Sequence, residues 1–139
     1  IAERYVLNEQ DVYKKEMPSN VDTFNSIKNI IDDNIDNIYG VELPLFSKTL
    51  KAAGKTDLIA EFKSVPSIID FKTSRKTKKE DWIQNYFIQA TTYSMMFEVL
   101  YKIQIPQIVI IIAVDHEEPQ LFVKDRSHYV NKVLDIFTN

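Results

Sequence analysis

Seven apolar residues follow one another without a break: Ile108, Val109, Ile110, Ile111, Ile112, Ala113 and Val114. All but Ala113 are β-branched, which favours an extended chain, and the run is far too short to cross a bilayer. A strand without polar alternation is buried on both of its faces, so the chain has to build a sheet with helices packed on it. At 139 residues it can form such a core without covalent staples. It contains no cysteine, which excludes disulfides, cysteine-type zinc sites and iron–sulfur clusters, and its composition is that of a globular chain. The 139 residues read as one domain whose first residue is Ile rather than Met, so an N-terminal segment is expected to precede it. With no signal peptide or membrane span in view, the expected compartment is the cytoplasm.

Around the apolar run the elements are read from periodicity. Residues 1–7 look like the end of a helix, and residues 9–20, with Pro18, like a loop. Residues 21–38 carry Phe24, Ile27, Ile31, Ile35 and Ile38 at helical spacing, with Asp22 as N-cap and Gly40 as stop. Residues 41–47, 55–62 and 67–71 read as strands, the last two joined by a turn near Ser64-Val65-Pro66. A long helix covers residues 79–101, a short strand residues 121–123, and a last helix residues 127–137. The predicted architecture is α/β, a central mixed sheet flanked by helices.

The hairpin formed by the second and third strands carries the chemistry. A turn centred on Ser64-Val65 sets Asp57 opposite Lys72 and Ile59 opposite Asp70, so Asp57, Asp70 and Lys72 converge on one face. Leu58, Ala60, Phe62, Ile69 and Phe71 fill the other, which is expected to be the core face, leaving the charged groups at the sheet surface. Two converging carboxylates repel unless a cation lies between them. Mg²⁺ takes such hard oxygen ligands, and a lysine beside it can orient water or offset charge on a phosphate under attack. The same residues could instead be a surface ion-pair cluster. A second acid-x-Lys triplet, Glu61-Phe62-Lys63, is set aside because Glu61 lies about 13 Å along the strand from Asp57. His116 and His128 are isolated. Trp82, Tyr86, Phe87, Met95, Met96 and Phe97 read mostly as the buried face of the long helix, with Trp82 or Tyr86 alternatively able to stack on a base. With two glycines in all, no phosphate-binding glycine loop exists.

Three stretches in order carry a resemblance: Gly54-Lys55-Thr56-Asp57, then Ile68-Ile69-Asp70-Phe71-Lys72-Thr73-Ser74, then Gln89-Ala90-Thr91-Thr92-Tyr93. They resemble the G-x-x-D, D/E-x-K-T and Q-x-x-x-Y motifs of the RecB-like branch of the PD-(D/E)xK nucleases. Within it the chain is most similar to the mitochondrial genome maintenance exonucleases and their bacteriophage relatives, from about residue 42 to the end. The resemblance implies that Asp57 and Asp70 bind Mg²⁺ or Mn²⁺ with the main-chain carbonyl of Phe71, and that Lys72 is the catalytic lysine. It implies that Gln89 and Tyr93 hold the site and the DNA strand near it. Glu42 matches a first-strand glutamate of the family, and Glu3 the end of its first helix. The cluster-bearing subtypes need cysteines that this chain lacks.

The net charge is −3, so attraction for nucleic acid has to be local. The dense basic run is Lys72-Thr73-Ser74-Arg75-Lys76-Thr77-Lys78-Lys79; it is either a solvated loop or, directly after the catalytic strand, a set of phosphate contacts. The expected activity is Mg²⁺-dependent hydrolysis of DNA, as an exonuclease on single-stranded ends. The alternatives are a structure-selective endonuclease with the same core, a non-catalytic DNA-binding module, and a subunit that needs a protein partner. The expected setting is intracellular, the host cytoplasm for a phage protein.

Overall fold

The computed structural model describes residues 18–48 and 51–138. The helix end expected at residues 1–7, Glu3 and most of the loop expected at residues 9–20 lie outside them. Helix α1 (Pro18–Asn34) leads into strand β1 (Ile35–Ser47), followed by β2 (Ala52–Phe62), β3 (Val65–Ser74), a 3₁₀ turn (Glu80–Ile83), helix α2 (Gln84–Tyr101), β4 (Gln107–Val114), β5 (Gln120–Asp125), a second 3₁₀ turn (Arg126–His128) and helix α3 (Val130–Thr138). The strands form one mixed sheet in the order β1-β2-β3-β4-β5. Only the β3–β4 pair is parallel, because α2 carries the chain back across the sheet between them.

Strand β4 is buried along its apolar length, as the unbroken run requires. Its residues alternate between two cores. Ile108, Ile110, Ile112 and Val114 pack with Ile59 and Ile68 beneath α2 and α3, against Phe87, Met96, Phe97 and Val133. Val109, Ile111 and Ala113 pack with Leu58, Ala60, Phe62 and Ile69 beneath Ile27 and Ile31 of α1. Each fully buried Ile or Phe contributes about 1.5–3 kcal/mol relative to exposure, so both faces are committed to the fold.

Helix α1 ends at Asn34, four residues before Ile38, the expected last residue of the helix. Ile35 and Ile38 continue its apolar spacing, yet Ile35 pairs with Phe62 as the first residue of β1. Asn34 closes the helix, its side-chain amide donating to the carbonyl of Ile30 at 2.9 Å while its own carbonyl accepts from the N–H of Lys63, also at 2.9 Å. Asn37 then takes a left-handed conformation (φ 44°) where the β1–β2 register shifts, a conformation to which Asn is suited. Asp22, expected as N-cap, falls inside the helix.

The β2–β3 turn is Lys63-Ser64, with Phe62 opposite Val65. Both turn residues are left-handed, at φ 50° and 68°, the geometry of a two-residue hairpin loop whose twist matches its strands. The expected turn, one residue further on, would have set a different register. Leu58 pairs with Ile69 and Ile59 with Ile68, so one step beyond places Asp57 opposite Asp70 rather than Lys72. The difference is two residues, and an even slip keeps every side chain on its face.

Candidate active site

Asp57, Asp70 and Lys72 share the face that α2 covers, not a bare sheet surface. Asp70 and Lys72 lie beside Ile110 and Ile112 of β4 in the parallel register, and Ile59 and Ile68 continue the same face into the core. The expectation of an exposed charged face is therefore corrected: both faces are cores, and the three charged groups sit half-buried where one of them opens to solvent. The alternation of apolar residues could not reveal this, because α2 supplies the cover from elsewhere in the chain.

The hydrogen bonding is tight. Asp57 Oδ2 accepts from the main-chain N–H of Phe71 at 3.0 Å, which ties the carboxylate across the two strands. Burial, and then the hydrogen bond and charge of the adjoining Asp70 carboxyl, push Asp57 up from 3.8 to about 7; the Phe71 N–H and Lys72 oppose this without cancelling it. Lys72 Nζ lies 2.9 Å from Asp70 Oδ2. Burial works against the lysine's charge, but Asp70 outweighs it and holds the ammonium above its ordinary value. The ammonium also stands over the ring of Tyr86, 4.8 Å from its centre, an attraction between cation and ring face.

Helix α2 closes the site. Gln89 Nε2 donates to Tyr93 Oη at 3.1 Å, one helical turn away. Since Tyr93 Oη accepts this bond, its own O–H remains available as a donor. Burial and the nearby Asp70 raise the phenol's pKa, so it stays protonated. Gly54 lies directly beneath this tyrosine: a Cβ there would come within 2.7 Å of Tyr93 Cε1 and 2.9 Å of Oη. The glycine is needed for close approach, as its φ is not left-handed. A cleft of about 430 Å³ runs beside Gln89 and Tyr93, between residues 51–53 and Phe137 of α3.

Other expected residues fall around this centre. By the β1–β2 register Glu42 stands across from Asp57, between the pairs Val41–Leu58 and Leu43–Thr56. Its backbone is left-handed (φ 48°) and its side chain exposed; among the described residues no third acid or histidine joins Asp57 and Asp70 in a metal-ligand cluster. Thr73, Arg75 and Lys76 are exposed, and Ser74 Oγ bonds to both the N–H and the carbonyl of Lys76. Glu61 is occupied elsewhere, accepting from Asn37 Nδ2 at 3.0 Å and Tyr39 Oη at 3.1 Å, and its companion Lys63 is in the turn. His116 and His128 are exposed.

Sequence reasoning missed Gln120. From β5 it clamps the basic loop by its main chain, its Oε1 accepting from Lys78 N–H and its Nε2 donating to Lys78 O, both at 2.8 Å. A lone glutamine on an edge strand carries no sequence signal for such a role. Tyr86 was read as part of the buried helix face or as a base-stacking ring, and its place beneath the Lys72 ammonium was not foreseen.

The position of Asp57 has a measurable consequence. Between 3.8 and about 7 the folded state holds a proton that the unfolded chain has released, so without divalent ions stability falls as pH rises through that window. Asp57→Asn cannot lose this proton. Its melting temperature in EDTA should exceed that of the wild type by a few degrees above pH 7, with the gap closing as pH falls toward 4. Parallel melting profiles across that range would show that Asp57 titrates normally.

Solved structures share this fold. One, from Eubacterium rectale and described as a "Putative exonuclease", superimposes with a TM-score of 0.63 over 97% of this chain and 60% of its own, at 15% sequence identity. The chain thus spans less than two thirds of that neighbour's length, and at that identity the likeness is one of fold. No family model and no curated protein matches the chain. Among the described residues no helix is long and apolar enough to cross a membrane.

Proposed function

We propose that this protein is a metal-dependent nuclease of the PD-(D/E)xK type, in its RecB-like branch, and that it hydrolyses phosphodiester bonds of DNA from single-stranded ends. The observation that carries the reading is the half-buried pair Asp57 and Asp70, in which burial, and then the adjoining Asp70 carboxyl, holds a proton on Asp57 near neutrality, with a lysine 2.9 Å from the second carboxylate. Such a pair is a poor structural device, since burying like charges costs stability. It is a good ligand set, because a hard divalent cation replaces the proton and removes the repulsion. The order of the motifs, and the fold shared with a protein described as an exonuclease, support the same reading.

Asp57, Asp70 and the Phe71 carbonyl would hold the cation. In that place Mg²⁺ or Mn²⁺ supplies Lewis acidity toward a phosphate oxygen and makes water acidic enough to attack. The chain's own groups do the rest. Phe71 N–H fixes the Asp57 carboxylate so that its other oxygen faces the site. Lys72, kept charged by Asp70 and supported by Tyr86, orients the attacking water and offsets negative charge as it builds on the phosphate oxygens. The water oxygen bonds to phosphorus and gives up a proton to solvent, the bond to the leaving sugar oxygen breaks, and that oxygen takes up a proton from solvent water. Tyr93, oriented by Gln89, donates its O–H to the strand. Glu42, Thr73, Ser74, Arg75 and Lys76 border the path of the backbone.

End-labelled linear and circular single-stranded DNA, each with Mg²⁺ and with EDTA, test the proposal. Loss of the linear strand alone, and only with Mg²⁺, is the expected result. Cutting of the circle would make the protein an endonuclease. Survival of both in Mg²⁺ and in Mn²⁺ would overturn the hydrolytic reading.

A further inference from the structure

Trp82 is the most exposed large apolar side chain among the described residues, at 65%. An indole is costly to leave in water, yet here its backbone is fixed. It belongs to the 3₁₀ turn Glu80–Ile83, whose next residue, Ile83, is buried in the core. Trp82 N–H donates to Lys79 O at 2.9 Å, and Glu80 pairs with Lys124 of β5 at 2.5 Å. Just upstream, Gln120 grips the main chain of Lys78 on both sides. The ring thus projects from a braced turn.

Its neighbours define what it can hold. Lys79 Nζ lies 5.2 Å from the ring centre, so a cation backs the indole and the exposed remainder is open. The turn runs straight into α2, whose first turn carries Tyr86 beneath Lys72. Lys72 with Tyr86 at the reactive centre and Lys79 with Trp82 beyond it are therefore two cation–ring pairs on the stretch of chain from residue 72 to residue 86. The exposed Arg75 and Lys76 lie in the same connection. Positive charge paired with an exposed ring suits a chain of phosphates whose bases are free to stack, and it does not suit a duplex with its bases paired inside.

We propose that Trp82 is a stacking platform for one unpaired base of a single-stranded nucleic acid, with Lys79 taking an adjoining phosphate, so that the strand is gripped a short distance from the phosphate to be cut. The inference rests on the nuclease reading and adds to it a binding residue outside the catalytic centre. Trp82 positions the strand and takes no part in bond making.

Trp82 is the chain's one tryptophan, so its emission reports this site alone. The probe is an end-labelled oligothymidylate of about ten nucleotides, within the range one such surface engages, in Ca²⁺ to hold cleavage off. Indole emission should be quenched in step with the rise in label anisotropy, and a blunt duplex of the same length should not quench it. Trp82→Ala should weaken binding by about 5- to 150-fold, the effect of losing one stacked base, and Trp82→Phe should recover most of the affinity. The loss in Trp82→Ala should appear in KM for single-stranded DNA more than in kcat. An abasic site at one position of the oligonucleotide should cost the wild type as much and Trp82→Ala little more. Unchanged emission while anisotropy reports binding would overturn the platform and leave the nuclease reading standing. Wild-type affinity in Trp82→Ala, with its circular dichroism intact, would do the same. Absence of any anisotropy change would remove the nuclease reading and the platform with it.

Discussion

Lys72→Ala is expected to lower cleavage at saturating DNA by about 10³-fold, the scale of losing one preorganised group that offsets transition-state charge, while Mn²⁺ binding is largely spared. The lysine contributes charge and orientation and no metal-ligand atom, which separates the two readouts. Its loss should also cost stability, on the order of 1–3 kcal/mol, because it leaves the Asp70 carboxylate, only 16% exposed, without its ion-pair partner. Asp70→Asn should lose both cleavage and Mn²⁺ binding. The check is a pair of measurements on each variant, turnover with excess DNA and calorimetric Mn²⁺ titration. Wild-type turnover in Lys72→Ala would remove it from the chemistry, and normal Mn²⁺ binding in Asp70→Asn would remove that carboxylate from the ligand set.

Gly54→Ala should damage both the fold and the reaction, although the glycine bears no functional group. The added methyl would press into Tyr93 at 2.7 Å from Cε1, and Tyr93 is itself packed against the main core. Overpacking of this kind costs about 1–3 kcal/mol. Relief requires the ring or α2 to move, which carries Tyr93 and Gln89 away from Asp70; displacement near 1 Å in a catalytic arrangement is worth about 10²-fold in rate. The explanation is tested by a cycle. In a Tyr93→Ala background the same glycine substitution should cost less than about 0.5 kcal/mol by urea unfolding, because the two sites are coupled only through that ring. An equal cost in both backgrounds would place the strain elsewhere.

The sheet was legible because the interior strand β4 has seven apolar residues in a row and none of them to place at a surface. The convergence of Asp57, Asp70 and Lys72 was legible for a different reason: side chains alternate with period two, so a turn misplaced by one residue shifts the pairing by two and preserves the face. Lys63-Ser64 hid the turn because neither residue advertises the left-handed conformation that Asn-Gly would. The end of α1 was hidden because Ile35 and Ile38 satisfy the helical period and the strand equally. What the local pattern could not supply was contact between distant segments. The cover that α2 gives the charged face, Tyr86 under Lys72, Gly54 under Tyr93 and Gln120 on the basic loop all join residues from different elements. The half-burial of Asp57, on which its affinity for a proton or a cation depends, is of this kind.

Mn²⁺ titration near pH 7 in two buffers of different ionisation enthalpy tests that dependence most directly. A carboxyl held at about 7 should release about half a proton per ion bound at that pH and almost none near pH 9, with affinity falling about tenfold per unit below it. Asp57→Asn should abolish the release together with the binding. Folded protein that takes up no Mn²⁺ at millimolar concentration, or binds it equally well in Asp57→Asn, would contradict the assignment of the two aspartates as a cation site.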